Sequence, residues 1–181
     1  YVLHDTLQLP SREEPIDIWS FFTDEQAQLW QSSIHYLKRS TRFYSEKVGV
    51  YPYPQVTAVQ SALSAGSGME YPMVTVIGWE PSARSLDAVL AHEVGHNWFY
   101  GILATNERDH AWLDEGFNSY YEYRYDQKYY GETAPILPKL FRGKSKTTLD
   151  EQGYRYYGCQ HLHQAPDTPA EKLRSYNYWV G

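Results

Sequence analysis

The chain has 181 residues, a formal net charge of −6 and a single cysteine, Cys159. This length suits one domain with a substantial core, and the acidic balance argues against nucleic-acid binding, which relies on clustered lysine and arginine. No apolar run approaches the about 18 residues of a membrane-spanning helix, and one cysteine permits no internal disulfide. The sequence leaves the cellular compartment open, because a targeting signal would precede this segment.

The first quarter of the chain predicts an extended entry followed by a long helix. Residues 1–22 contain two prolines and a small apolar cluster, which favours extended structure. Thr23 to Gln26 has a capping-box pattern, and apolar side chains then recur at steps of three and four up to Val48. We therefore predict an amphipathic helix from about Asp24 to Lys47, ended by Gly49.

Two strands joined by a loop are predicted next. Pro52 and Pro54 exclude a helix at the start of this region. The runs 55–63 and 73–79 are rich in β-branched residues and predict strands. Between them, residues 65–72 read AGSGMEYP and predict a glycine-bearing loop.

Two further helices are predicted in the middle of the chain. Ser85 can cap a helix that extends to about Tyr100, because the apolar positions that follow have helical spacing. Residues 102–111 are polar and predict a loop. A second helix is predicted from about Leu113 to Tyr130, ending at Gly131.

The first of these helices carries the motif HEVGH at residues 92–96. Side chains four residues apart lie on one face of a helix, so His92 and His96 can bind the same metal ion. Glu93 falls beside them, near the open position from which a base takes a proton from bound water. Because the motif also occurs by chance, a zinc site requires support from a third ligand.

Glu115 supplies this third ligand. A catalytic zinc ion has three protein ligands and one open position. Glu115 lies 19 residues after His96, in the sequence WLDEGF at the start of the next helix. A helix, a loop and a returning helix would bring its carboxylate back to the ion. Asp114 is a competing ligand, and the spacing alone does not choose between the two.

The motif HEVGH, followed after 18 residues by the glutamate of WLDEG, resembles the aminopeptidase N family of gluzincin zinc metallopeptidases. The resemblance assigns the third ligand to Glu115 rather than to Asp114. It implies one zinc ion per chain and a centre of four residues: the ligands His92, His96 and Glu115 and the catalytic base Glu93.

An upstream segment resembles the exopeptidase loop of the same family, usually written GxMEN. Gly68, Met69 and Glu70 match it, and the resemblance implies that Glu70 binds the free α-amino group of the substrate. A carboxylate beside the metal would attract this localised positive charge. Tyr71 stands where the family usually has asparagine, which leaves the side-chain preference of the enzyme open.

The family also has a tyrosine that stabilises the oxyanion, in a Y-x-x-G context downstream of the glutamate ligand. Tyr178 has this context and lies 63 residues after Glu115, which is similar to the family spacing. Tyr176, at 61 residues, is an alternative. A tyrosine beyond residue 181 is a third alternative.

The resemblance implies an α+β fold, that of the thermolysin-like zincin catalytic domain. We expect a small mixed α/β lobe over residues 1–84, with the exopeptidase loop at 66–71, and a mainly helical lobe with the zinc site over 85–181. The segment is interpreted as most of this domain, excised from a larger multidomain protein whose flanking domains would contact it.

The predicted function is zinc-dependent removal of N-terminal residues from peptides that have a free amino terminus. Glu70 favours this reaction over a thermolysin-like endopeptidase, which gains nothing from an amine-binding acid. A family relative that opens an epoxide stays an alternative. So does a catalytically inactive zinc-binding member that acts as a binding module, and the isolated segment is itself expected to be inactive.

The ring nitrogen of each histidine that does not bind zinc also requires a partner. Asn118 and Glu122 lie about one and two turns after Glu115, on the same face of the second helix. They are candidates for orienting the two histidines, and ordinary positions on the helix surface are the alternative.

Overall fold

The computed structural model describes residues 1–64 and 67–131 together with residues 152, 154–156, 158–160, 163–165 and 167–172. Within residues 1–131 the strands are β1 (Val2–Leu7), β2 (Ile16–Phe21), β3 (Gln55–Gln60), β4 (Gly68–Met69) and β5 (Val74–Ile77). The α-helices of the same range are α1 (Ala27–Trp30), α2 (Ser33–Lys47), α3 (Ala83–Gly95) and α4 (Phe117–Tyr130). A wide turn, Asn97–Ile102, follows α3, and a second, Trp112–Gly116, precedes α4; short 3₁₀ turns lie at Asp24–Gln26 and Ala170–Lys172.

The strands form one mixed sheet in the order β1-β2-β3-β5-β4. β2, β3 and β5 are parallel, whereas β1 and β4 pair antiparallel at the two edges. Helix α2 lies in the crossover from β2 to β3 and packs on β1 and β2, and α3 follows β5 and packs on β4 and β5. A mixed sheet followed by helices confirms the predicted α+β fold class. The predicted division at residue 84 stays a prediction.

Residues 1–22, predicted only as extended, form the antiparallel hairpin of β1 and β2. In β2, one set of side chains is buried and alternates with a set that is partly or fully exposed: Ile16, Ile18 and Ser20 against Asp17, Trp19 and Phe21. This alternation is the period of a strand with one buried face. Because Trp19 and Phe21 lie on the exposed face, apolar and polar residues do not alternate clearly in the sequence of this strand.

The long helix predicted over 24–47 is divided into a 3₁₀ turn, α1 and α2. The predicted capping box at its start was wrong. The hydroxyl of Thr23 donates to Oε1 of Gln60 at 3.1 Å instead of capping the helix. The amide of Gln26 is buried and donates to the carbonyl of Glu80 at 2.6 Å. Tertiary contacts with the end of β3 and with the loop before α3 therefore replace the local cap.

The predicted strands 55–63 and 73–79 are present as the shorter β3 and β5. The predicted loop 65–72 contains β4, which was not foreseen. Gly68 pairs with Ile77 and Met69 with Val76, antiparallel to β5. A strand of two residues is too short for alternation to reveal it. Because α3 packs against β4, this edge strand lies beside the HEVGH motif.

Helix α3 begins and ends earlier than predicted. Its N-cap is Ser82 rather than Ser85, and the Ser82 hydroxyl accepts a hydrogen bond from the backbone N–H of Ser85 at 3.1 Å. The helix ends at Gly95. The hydrogen bonds that follow span five residues instead of four, since the N–H of Gly101 donates to the carbonyl of His96 at 2.9 Å.

Helix α3 is enclosed by its neighbours, because it contacts α2, α4, β4 and β5. Four of its apolar side chains are fully buried: Leu86, Leu90, Ala91 and Val94. A buried hydrogen bond of 2.7 Å between the hydroxyls of Ser33 and Ser20 joins α2 to β2. None of the helices in the described ranges has the length and apolar character needed to span a bilayer.

An ionic cluster fastens the three long helices together. Asp87 of α3 is fully buried and forms an ion pair with Arg39 of α2. From α4, the hydroxyls of Tyr125 and Tyr130 donate to the same carboxylate at 2.8 and 2.5 Å. Four hydrogen-bonding groups from three helices thus satisfy each other in the core.

The substitution Asp87→Asn should destabilise the protein. It leaves the guanidinium of Arg39 without its counter-charge in a largely buried position, which lowers the free energy of unfolding by about 3 kcal/mol. Urea unfolding followed by circular dichroism measures this change. The control is Asp5→Asn, since the exposed pair of Asp5 with Lys38 contributes little. Equal stability of the two variants would contradict the role given to Asp87.

Gly95 permits close approach of α3 to its neighbours. A Cβ atom added at Gly95 would lie 2.0 Å from Oδ1 of Asn118 and 2.6 Å from the hydroxyl of Tyr44. Both of those side chains are fully buried, so neither can move into solvent. Alanine therefore does not fit at this position without displacing a helix.

We expect Gly95→Ala to lower the free energy of unfolding by about 2 kcal/mol through this overpacking. Gly49→Ala is the matched control, since nothing lies within 4 Å of a Cβ added there. Thermal unfolding of the two variants and the unsubstituted protein compares them. A Gly95→Ala variant as stable as Gly49→Ala would show that α3 and α4 are not held in close contact.

Candidate active site

The last turn of α3 brings two histidines together. His92 and His96 are four residues apart, so their rings lie on the same side of the helix. Their Nε2 atoms are 3.1 Å from each other. His96 is 1% exposed, and His92 is partly buried. The helix therefore holds the two Nε2 atoms next to each other, at one position where a ligand could contact both.

Glu115 reaches the same position from the wide turn before α4. Its Oε2 atom lies 3.3 Å from Nε2 of His92 and 3.6 Å from Nε2 of His96. The ligand atoms of these three residues all lie within 4.8 Å of one another. The structure thus brings together the three residues that the sequence predicts as metal ligands.

The opposite ring nitrogens of the histidines have carboxylate partners. Nδ1 of His92 lies 3.1 Å from Oε2 of Glu122, and Nδ1 of His96 lies 2.5 Å from Oδ1 of Asp114. Because ionised carboxylates only accept hydrogen bonds, Nδ1 of each histidine donates to its carboxylate, and in a neutral ring this leaves Nε2 with the lone pair that binds a metal ion. Asp114, the competing ligand in the sequence, therefore lies on the other side of His96 from Glu115.

Of the two residues predicted to orient the histidines, Glu122 contacts a ring and Asn118 does not. The amide of Asn118 instead donates to the backbone carbonyl of His92 at 2.8 Å. It thereby ties α4 to α3 next to the site. The contact of Asp114 with His96 was missed, because its position beside Glu115 in the sequence suggested competition for the metal.

The donor set fits a zinc ion. Two imidazole nitrogens and one carboxylate oxygen are the ligands of a common catalytic zinc site, and two lone pairs 3.1 Å apart repel each other unless a cation or a proton lies between them. Burial alone would lower the pKa of His92, but its hydrogen bonds to Glu115 and Glu122 raise it well above the ordinary value. The site therefore favours positive charge at this point.

Glu93 lies beside these ligands in a buried position. It is 6% exposed, and its Oε2 atom has no hydrogen-bond partner among the described residues. Burial is the main cause that raises its pKa to about 7; His92 and His96 oppose the rise, and Glu70 and Glu115 add to it. A carboxyl with this pKa can accept and return a proton near neutral pH.

The edge strand β4 packs directly on Glu93. A Cβ atom added at Gly68 would lie 2.1 Å from Oε1 of Glu93. Only glycine allows β4 to come this close to the carboxylate. Gly68, which the sequence predicts to bind substrate, lies against Glu93 in the structure, and its predicted contact with substrate stays a prediction. Met69, the next residue, is 40% exposed.

Glu70 lies among other acids next to the histidines. Its carboxylate, that of Glu107 and that of Asp114 have oxygen atoms within 4.8 Å of one another. Because Asp114 also contacts His96, the acidic group adjoins the candidate metal ligands. Glu107 was not foreseen, since it lies in the polar loop 102–111, which the sequence does not position.

The predicted oxyanion tyrosines, Tyr178 and Tyr176, lie outside the described residues. The described part of the site therefore consists of three groups of side chains. These are a donor set for a cation, a buried carboxyl able to move a proton, and an acidic group beside both. Together they could activate a water molecule next to a bound amine.

Comparison with known proteins agrees with this chemistry. The family description "Peptidase family M1 domain" matches residues 33–178. The leukotriene A-4 hydrolase of Xenopus laevis is 46% identical over 68 residues, 36% of this chain and 11% of that protein. A leucine aminopeptidase 2 of Neosartorya fischeri is 35% identical over 124 residues, 64% of this chain and 19% of that protein. The chain thus spans less than a fifth of each of these two relatives.

Solved structures of similar fold have descriptions that agree with the sequence match. An M1 zinc metallopeptidase from Deinococcus radiodurans superposes with a TM-score of 0.63 at 15% identity, covering 99% of this chain and 38% of that one. An aminopeptidase A of Legionella pneumophila gives a TM-score of 0.57 at 14% identity, covering 74% and 17%. These likenesses show the fold, and the family match extends over most of the sequence. The chain belongs to peptidase family M1.

Proposed function

We propose that the protein is a zinc-dependent aminopeptidase that removes N-terminal residues from peptides. The observation that carries this proposal is the convergence of His92, His96 and Glu115 on one point beside the buried Glu93. Membership of peptidase family M1 supports peptidase activity. The proposal includes one zinc ion per chain, held by these three ligands.

Zinc bound there would polarise the scissile carbonyl and lower the pKa of a water molecule. The protein's own part in the proton transfer belongs to Glu93. Its unpartnered Oε2 accepts the proton of the attacking water, and the carboxyl then donates it to the amine of the leaving peptide.

The surrounding carboxylates keep the histidines in the required form. Asp114 and Glu122 accept from the Nδ1 atoms and hold both Nε2 lone pairs toward the metal position. The oxyanion-stabilising tyrosine stays a prediction, with Tyr178 first and Tyr176 second.

Glu70 gives the reaction its proposed preference for chain ends. A peptide's amino terminus carries a localised positive charge, and a carboxylate binds it through charge-assisted hydrogen bonds. Glu70 follows Gly68 by two residues in the segment that packs on Glu93, and its carboxylate adjoins that of Asp114. An ammonium group bound at Glu70 would leave the first peptide bond beside the metal.

The zinc ligands can be tested without an activity assay. We expect the whole protein to bind about one zinc ion per chain and His96→Ala to bind it more than about 100-fold more weakly, since even outer partners change affinity by 10–100-fold. Competition with a chromogenic chelator measures both values. His35→Ala, an exposed histidine on α2, is the control. Zinc binding that survives His96→Ala would refute this ligand set.

The role of Glu70 is tested on the whole protein with two chromogenic leucyl amides, one with a free amine and one N-acetylated. We expect chelator-sensitive cleavage of the free-amine substrate only. Glu70→Gln should lower kcat/KM for that substrate by about 10- to 100-fold, because it removes a hydrogen bond between two charges.

Two further variants complete this experiment. Glu46→Gln, an exposed acid on α2, should behave as the unsubstituted protein. Glu93→Gln should keep zinc but lose turnover, since it cannot take up the proton. Comparable cleavage of the acetylated amide would refute the role of Glu70 and favour an endopeptidase.

A further inference from the structure

The backbone at Tyr100 is strained. Its φ is 93° and its ψ is −65°, close to the values of about +75° and −65° of a γ-turn that is rare and strained. Met73 and Ala104 also have positive φ, at 67° and 50°, nearer the ordinary left-handed region at about 57°. A bulky aromatic residue at φ 93° is an outlier. Such strain persists where the surrounding structure enforces it, often at functional sites.

Two anchors on either side of Tyr100 enforce this conformation. Phe99 is 5% exposed and stacks on Phe117 and Tyr121, with ring centroids 6.1 and 5.4 Å away. On the other side, the N–H of Gly101 donates to the carbonyl of His96 at 2.9 Å. The chain must reverse between these anchors. Phe99 therefore enters the core, whereas Tyr100 stays only partly buried.

The wide turn that contains Tyr100 lies against the exopeptidase segment. A Cβ atom added at Gly101 would lie 3.9 Å from Cγ of Pro72, two residues after Glu70. Oδ1 of Asn97, at the start of the turn, accepts from the N–H of Met73 at 2.8 Å. The turn thus joins the end of α3, which carries the zinc ligands, to the segment that carries Glu70.

Tyr100 lies in the part of the turn that adjoins the segment of Glu70, since its neighbour Gly101 is close to Pro72. Burial, followed by the carboxylates of Glu107, Glu70 and Asp114, raises the pKa of Tyr100. These are the carboxylates whose oxygens lie within 4.8 Å of one another. The turn therefore places the backbone of Tyr100 beside the segment that carries Glu70, and the charges of the acidic group act on its phenol.

We infer that Tyr100 is a specificity-determining residue whose ring contacts the N-terminal residue of a peptide bound at Glu70. This inference rests on the proposed aminopeptidase function. The face of an aromatic ring attracts an ammonium group, and the neighbouring carboxylates supply the opposing charge. The strained backbone is kept because it directs the ring toward the substrate.

The test separates strain from function by comparing two glycine substitutions in one turn. Tyr100→Gly removes the strain and the ring, whereas Ala104→Gly removes a positive-φ side chain that is exposed. The backbone N–H of Ala104 donates to the carbonyl of Tyr100 at 2.8 Å, so both belong to the same turn. Tyr100→Phe keeps the ring and removes the hydroxyl. Melting temperature, kcat and KM for the free-amine amide are measured for each in the whole protein.

We expect Tyr100→Gly to raise the melting temperature by about 2–4 °C and to lower kcat/KM by about 10-fold, mainly through KM. Ala104→Gly should leave kcat/KM within about twofold of the original value, and Tyr100→Phe, which keeps the ring, should be impaired less than Tyr100→Gly. A gain in stability together with a rise in KM is a result that a purely structural tyrosine would not give.

Other results would overturn the inference. If Tyr100→Gly is more stable and fully active, the ring makes no contact with the substrate. If Tyr100→Gly loses stability and activity together, the role of Tyr100 is in packing. A Tyr100→Phe variant as impaired as Tyr100→Gly shifts the contact from ring to hydroxyl. If the unsubstituted protein shows no preference for the free amine, the proposed function fails as well. If that preference is present, only the assignment of Tyr100 fails.

Discussion

The site depends on the Nε2 atoms of His92 and His96, which the fold holds 3.1 Å apart. When both rings are neutral and carry their protons on Nδ1, the two Nε2 lone pairs repel each other until positive charge lies between them. Two features of the chain maintain this arrangement. The helical spacing of His92 and His96 fixes the distance, and the carboxylates of Glu122 and Asp114 hold the protons on the outer nitrogens.

The helix that carries these residues has little freedom to relax, because packing and hydrogen bonds restrain it from several sides. Asp87 fastens α3 to α2 and α4 through one shared carboxylate, and Asn118 ties α4 to the carbonyl of His92. Glycines allow the closest contacts: Gly95 with Asn118 and Gly68 with Glu93. A rigid surrounding is what keeps functional groups in a geometry that they would otherwise leave.

The sequence predicts well what depends on local spacing. The shared face of His92 and His96 follows from the α-helical repeat, and helices before and after the loop 102–111 are present. It predicts poorly what depends on tertiary contact. The two-residue β4, the bond of Asp114 to His96 and the position of Glu107 each require the loop and the sheet edge to be in place. The predicted capping box at Thr23 fails for the same reason, since the hydroxyl of Thr23 donates to Gln60, which is distant in the sequence.

The charges around the site link its two proposed ligands. Glu70, Glu107 and Asp114 are crowded together in a partly buried region, where like charges repel strongly. That repulsion is relieved by a cation, and the position adjoins the histidine that would hold zinc. In the proposed function, a dipositive ion would bind the histidines beside one end of the acidic group, and an ammonium group would bind at its other end. One electrostatic constraint thus favours the metal and the amino terminus of a substrate side by side, which is the arrangement that the hydrolysis of a first peptide bond requires.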